Sequence, residues 1–474
     1  MKFRYLFYSL LGVVGLASCD LTGNINDIKP QNQLDESTLI RDANSANLAL
    51  RGVYEMWRAG GLSMITPNMG LLSDALTAGG SISDASVFSQ NAVKPETNTI
   101  ASYYTALYAI VNYAGLVGEQ LEEGKAVGLD SVSTVRMTGE CRFQRAMADF
   151  YLLRAYGQFY DKSSPYGIVI VKEHMRDNKA VARSTVEESF RFIHEDLDDA
   201  MKMIPDDYIT GHYNVSYLTA KALKAKVLLY EKRYKEAADL AKEVLDEAEA
   251  HGYVLETEYA DIFKHGHLSS EALFAPYAWG FKERLITNIS RTKSGLYSRK
   301  IADAMVGGSN DGNTITGEGF DKRYAITFAT ALAGPNNNGK YPYRDNSADL
   351  QSNSYFYLRL AEIYLIHAEA AIRGYDDYAG ARASLKKITD RAGYDEDYVN
   401  TIADGDMLQL IREHKLLELV AEAYEEWFDL VRYHKEGDLN ISDIKPTIAS
   451  DSQLIFPMPQ TALAGNNLLE QNPL

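Results

Sequence analysis

Cysteine is nearly missing from this sequence. There are two in 474 residues, Cys19 and Cys141, so no disulfide framework holds the fold and stability has to come from a buried core. Tryptophan is scarce as well, three against 32 tyrosines and 16 phenylalanines. Positive charge is outnumbered: 48 Lys and Arg face 65 Asp and Glu, a formal net charge of −17. That excludes nucleic acid as a partner, because phosphates require a basic face, and it argues against lying flat on anionic lipid. Beyond the N-terminus no stretch reads as apolar enough for a second membrane segment. Catalytic signatures are missing too. No Gly-rich phosphate loop leads into a helix, and there is no Gly-x-Ser-x-Gly elbow. His265 and His267 form a pair without a further ligand set at metal-binding spacing. Asp311 and Asn313 begin like a calcium loop, but Ile315 takes the next ligand position. No catalytic residue, metal site or cofactor is expected, although 65 acids leave a glycosidase-type carboxylate pair neither excluded nor located.

What is present starts at residue 1. Lys2 and Arg4 precede an apolar run from Leu6 to Leu16, the length of a signal-peptide core and too short to span a bilayer. Leu16, Ala17 and Ser18 then lead into Cys19, the lipoprotein processing pattern. Residues 1–18 read as a lipoprotein signal peptide and Cys19 as the lipidated mature N-terminus, whose acyl chains contribute about 0.8 kcal/mol per buried CH₂. An ordinary signal with a chance cysteine is the alternative. Residues 19–36 are polar, carry Pro30, and read as a tether. Cys141 is left without a partner and is expected to be buried and inert.

Helical patterning dominates the rest. Residues 43–57, 99–117 and 134–160 read as helices. In 217–248, Leu218, Ala222, Ala225 and Leu229 form one stripe, and Ala237, Leu240, Ala241, Val244 and Leu245 a second. The turn between them, at Lys232 to Tyr234, is so short that the helices must be antiparallel neighbours. Ala225 and Ala237 would sit where they cross most closely, in a tetratricopeptide-like (TPR-like) pair. The pattern recurs over 358–388, with Ala368 and Ala381 at the crossing. A last long helix is expected over about 407–434, with Leu417, Ala421, Tyr424, Phe428 and Val431 as its seam. Two stretches, 66–98 and about 275–354, are rich in Gly, Ser and Asn and read as loops of functional length.

Several segments together resemble the SusD/RagB family of outer-membrane nutrient-binding lipoproteins. The lipobox is followed by DIKPQNQL (27–34) and LALRGVYEMW (48–57). Asp321-Lys322-Arg323 is similar to the family's DxR element. YLRLAEIYLIHAEAAIR (357–373) resembles its most regular helix, through Arg359, Ala361, Glu362, Leu365, Ala368, Glu369 and Ala370. The end, IFPMPQTALAGNNLLEQNPL (455–474), matches at Pro457, Pro459, Gln471, Asn472 and Pro473. Two departures stand out: Tyr424-Glu425-Glu426 replaces the usual Gly and Arg before Trp427, and no Gly follows QNPL.

The resemblance implies a mainly α fold. Residues 37–474 would form a single SusD-like domain, with TPR-like antiparallel helix pairs and a loop-rich ligand-binding lobe. It implies no enzymatic activity. It also implies lipid anchoring to the outer membrane, surface exposure, capture of an oligosaccharide, and a SusC-like TonB-dependent transporter as partner. A peptide- or protein-binding TPR-like lipoprotein of the cell envelope is the alternative. Trp57 and Trp427 fall on helices and are expected to pack. Trp279 lies where helical pattern has ended, between Tyr277 and Phe281, and offers either a face for a pyranose ring or a core plug. Tyr297, Phe88, Gln90 and Asn91 are candidates for an opposing wall.

Overall fold

The helical spacings resolve, in a computed structural model, into the expected elements and several more. The structure describes residues 36–58, 60–76, 82–177, 179–208, 210–277, 321–328, 340 and 354–473. Signal peptide, most of the tether and most of 278–353 lie outside the described residues.

Helix α1 (Ala43–Met56) begins at Asp42, which forms a capping box with Ser45 and so satisfies otherwise unpaired amides of the first turn. It is followed by α2 (Gly60–Leu72), α3 (Ala85–Ser89), α4 (Asn98–Glu122) and α5 (Ser131–Tyr156). Helix α6 (Val186–Met203) starts on a second capping box, Thr185 with Glu188. Next come α7 (Tyr217–Tyr230), α8 (Tyr234–Glu247) and α9 (Tyr259–His265). Strand β1 (Ala272–Phe274) pairs antiparallel with β2 (Leu358–Arg359), Ala272 opposite Arg359. Helix α10 (Arg323–Phe328) falls between them in sequence. Helices α11 (Leu360–Tyr375), α12 (Tyr378–Ala392), α13 (Met407–Leu419) and α14 (Glu425–Glu436) complete the scaffold.

The core is organised around α5. From Met137 to Tyr156 every residue except Arg142 is buried, with α4 against one side and α6 against another. Gly139 permits the second contact, because a Cβ there would stand 2.8 Å from Cβ of Met203. The two alanine pairs behave as their spacing implies. Ala225, Ala237, Ala368 and Ala381 are all completely buried, α7 packs on α8, α11 on α12, and α11 lies across α8. Lys232 turns the first hairpin with φ +64°. Cys141 is buried as expected, and burial pushes its thiol far above the usual range.

Three expectations need correcting. The stretch 66–98 is not a continuous loop: α2 runs into it despite Pro67, and α3 lies within it. Leu62, Ile65, Met69, Leu71 and Leu72 are buried, so α2 is held by packing from several sides rather than by an amphipathic stripe. Helix α4 is long and apolar enough to cross a bilayer by length and composition, against the expectation that no stretch beyond the N-terminus is. It is a core helix, packed on α5, α2 and α1. The third correction concerns 407–434, which is two helices. Ala421, Ala423 and Tyr424 have φ of +63°, +50° and +68°, a left-handed kink that costs roughly 1 kcal/mol or more per non-glycine residue.

Candidate functional site

Strand β1 carries the chain out of the core to Tyr277, 43% exposed. Its ring meets His267 at 4.8 Å and Tyr213 at 5.5 Å, while Tyr213 and His267 stand 5.6 Å apart. Three rings thus support one another, with Tyr277 the most open. Loop ends fix them. The backbone N–H of His267 donates to Oγ of Ser354 at 2.7 Å, and its Nδ1 lies 3.2 Å from the same oxygen. His212 turns its Nδ1 to the Ala272 carbonyl at 2.7 Å and stacks edgewise on Tyr253. Burial, helped by Arg58 and His212, brings the His267 imidazole down to about 4. At neutral pH the cluster is therefore an uncharged aromatic surface, suited to the C–H face of a sugar ring. His265 instead faces Glu256, Nδ1 to Oε1 at 3.0 Å, so the two histidines serve different neighbours.

The other candidates divide. Trp279, Phe281 and Tyr297 lie outside the described residues. Gln90 is exposed. Phe88 is completely buried, edge-to-face with Phe456 at 5.9 Å, and offers no face to a ligand. Asn91 is buried with φ +50°. Its Nδ2 donates to the Leu72 carbonyl at 3.2 Å, and its Oδ1 accepts from Thr447 at 2.6 Å. Phe88 and Asn91 therefore anchor α3 to the C-terminal segment and form no ligand wall. Trp57 and Trp427 pack in the core, and Trp57 donates from Nε1 to Gln144 at 3.2 Å.

Around Arg359 and Glu418 lies a group of buried charges that sequence reasoning did not assemble. Arg359, at the end of β2, donates from Nη1 to Glu271 at 2.6 Å and Glu418 at 2.7 Å. From Nε it reaches Glu422 at 2.6 Å. Arg391 joins Glu271 and Glu418. Arg323 pairs with Asp321 at 2.6 Å and Glu418 at 3.2 Å. Burial alone would raise the Glu418 carboxyl, but Arg391, Arg359 and Arg323 hold it well below the usual range. His414, 3.1 Å from Arg323, is pushed down to about 3 by burial and by that guanidinium. Asp321, Arg323 and Arg359 are residues on which the family resemblance rested, so part of the signal was visible. Glu271, Lys340 and Arg391 gave none.

Elsewhere, a cavity of about 580 Å³ lies between α4, α5 and residues 172–176. Two of its charged side chains are paired, Arg142 with Glu122 and Arg145 with Asp196, and Nε2 of His174 lies 3.2 Å from Glu36.

Two family models match the chain. Residues 28–229 match a SusD-like model described as "Starch-binding associating with outer membrane", and residues 331–474 match the model of the SusD family. The chain belongs to the SusD family. A SusD-like protein of Bacteroides ovatus is 21% identical over 382 residues, which span 71% of this chain and 66% of that relative, just under two thirds of its length. Among solved structures, a SusD superfamily protein from Bacteroides thetaiotaomicron superposes with a TM-score of 0.74 at 20% identity, covering 91% of this chain and all of the other. One from Bacteroides vulgatus gives 0.72 at 21% identity, with 91% and 99% covered. A laminarin-binding SusD-like protein gives 0.68 at 20%, again with 91% and 99% covered. Likeness at these identities establishes the SusD fold, with its TPR-like helix pairs.

Proposed function

We propose that this SusD-family chain is an outer-membrane lipoprotein that captures oligosaccharides at the cell surface without chemical turnover. It passes them to a SusC-like TonB-dependent transporter. The observation that carries the reading is the match of residues 28–229 to a starch-binding, outer-membrane-associated family. The lipoprotein pattern ending in Cys19 supports the anchor. Support for the ligand class comes from the uncharged Tyr213–His267–Tyr277 cluster, with Trp279, Phe281 and Tyr297 following in the chain. In this reading Tyr277 and Trp279 stack on sugar rings, each contact contributing on the order of 1 kcal/mol. Exposed Gln90 is a hydrogen-bonding candidate that can serve hydroxyls without the desolvation cost of a full charge.

Calorimetry with laminarin and soluble starch tests the proposal, using the wild-type chain and the Tyr277→Ala and Trp279→Ala variants alongside their melting temperatures. Binding that weakens about fivefold or more per variant while the fold stays intact supports it. Peptide binding in place of glycan binding would favour the peptide-capturing alternative.

A further inference from the structure

Between α13 and α14 lies a cavity of about 380 Å³, within the roughly 300–1,000 Å³ range that holds small molecules. Helical spacing builds it. Arg412 and Leu416 are one turn apart on α13, and Glu426, Leu430 and Tyr433 follow at i, i+4 and i+7 on α14, so each helix gives it one face. Leu439 and Ile444 add further apolar wall. Leu416 is 36% exposed, more apolar surface than a scaffold contact leaves open. None of these residues belongs to the Tyr213–His267–Tyr277 cluster.

Five acids and two bases line the cavity, so its field favours a cation and opposes an anion. Most of these charges are already paired. Glu425 meets Arg154 at 2.8 Å and Lys226 at 2.7 Å, and Asp429 meets Lys415 at 2.7 Å and Arg432 at 2.9 Å. Asp438 lies 3.6 Å from Arg412, and exposed Glu413 accepts from Gln409 at 2.9 Å. Glu426 is different. It is 6% exposed, and among the described residues neither carboxylate oxygen has a partner beyond its own amide. A carboxyl buried without a partner costs the fold stability, and a side chain retained at that cost points to a partner from outside the chain.

We propose that this cavity binds a small organic amine, with its ammonium on Glu426 and its apolar body against Leu416, Leu430 and Ile444. Such a site goes beyond the function proposed above and does not depend on it. An ammonium supplies the donors that the carboxylate lacks. Burial brings the Glu426 carboxyl up to about 8 against the pull of its own amide, with Glu425 and Glu422 adding to the rise and Lys340 opposing it. The other charges around the cavity, on Arg412, Glu413, Lys415, Asp429 and Asp438, have the partners given above. At pH 7 the free protein therefore holds a proton on Glu426. The arriving ammonium ionises the carboxyl, and that proton passes to solvent.

Calorimetry with n-hexylamine at pH 7, in two buffers of different ionisation enthalpy, tests the site on the wild-type chain and on Glu426→Gln and Leu416→Ala. Hexanol and hexanoate serve as controls of the same length. Wild type should bind the amine with release of about one proton, bind hexanol about tenfold more weakly or worse, and not bind hexanoate. Glu426→Gln should melt no lower than wild type, bind the amine about tenfold more weakly or worse, and release no proton. Leu416→Ala should weaken the amine about threefold or more through lost apolar contact while keeping the proton release. Failure of the wild type to bind hexylamine would overturn the site. So would equal binding of hexanol, amine binding without proton release, or unchanged affinity in Glu426→Gln. Should Glu426→Gln lose the fold, the wild-type proton release and the Leu416→Ala result decide.

Discussion

Glu426 is the sharpest test of how this interior handles charge. It sits in the first turn of α14 and is 6% exposed. Among the described residues neither carboxylate oxygen has a side-chain or backbone partner beyond its own amide. Burial pushes its carboxyl up. The amide opposes this, neighbouring Glu425 reinforces it, and the balance stands at about 8 against an ordinary 4.5. The folded state therefore holds a proton that the unfolded state releases above pH 4.5. Stability from this group is fully present below 4.5 and is lost as the pH rises to about 8. At about 1.4 kcal/mol per pH unit the loss amounts to about 4 kcal/mol. Glu426→Gln keeps the shape and removes the titration. The variant should match wild type at pH 4.5 and exceed it by about 4 kcal/mol at pH 8, measured by denaturant unfolding at matched pH. Groups titrating in both proteins, such as Glu140 at about 7, cancel in the difference. Parallel curves for the two proteins would refute the reasoning.

Three further outcomes are expected. Arg359→Ala leaves Glu271, Glu418 and Glu422 short of their shared cation and should cost about 3–5 kcal/mol, seen as a lowered denaturation midpoint. Ala225→Leu should overpack the buried crossing of α7 and α8 and cost about 1–3 kcal/mol, with an unchanged melting temperature counting against the close packing. Cys19→Ser should abolish incorporation of a labelled fatty-acid analogue in cells, and equal labelling of both proteins would remove the anchor.

Much of the scaffold was legible because apolar burial repeats with the helix. Leu218, Ala222, Ala225 and Leu229 are all buried, as their spacing implies. Helix α6 was missed although Thr185 and Glu188 spell a capping box, a signal that was there to find. Helix α2 offered none: with Gly60, Gly61, Pro67 and Gly70 it looks like a loop, and packing overrides that propensity. The break at Val420–Tyr424 is harder still. No Gly or Pro marks it, and the apolar seam runs straight through. Its cause lies far off in sequence, where Arg359 and Lys340 take the Glu418 and Val420 carbonyls and Tyr355 accepts the Ala423 amide.

The site divides along the same physical line. Burial of apolar surface has no direction, so residue type and spacing announce it. Loop composition cannot say which side of a loop faces out, and so Phe88 and Asn91, plausible as ligand contacts, are core residues. Pairing of charge is directional, and its partners must be supplied by the fold. A net charge of −17 conceals an interior where Arg323, Arg359 and Arg391 share Glu418. Such buried pairs do not add stability over an apolar replacement as a rule, because desolvation offsets their attraction. Their value here lies in specifying one arrangement. An apolar contact would tolerate many registers, whereas Lys340 has three acceptors at bonding distance and loses them if it shifts by an ångström or two.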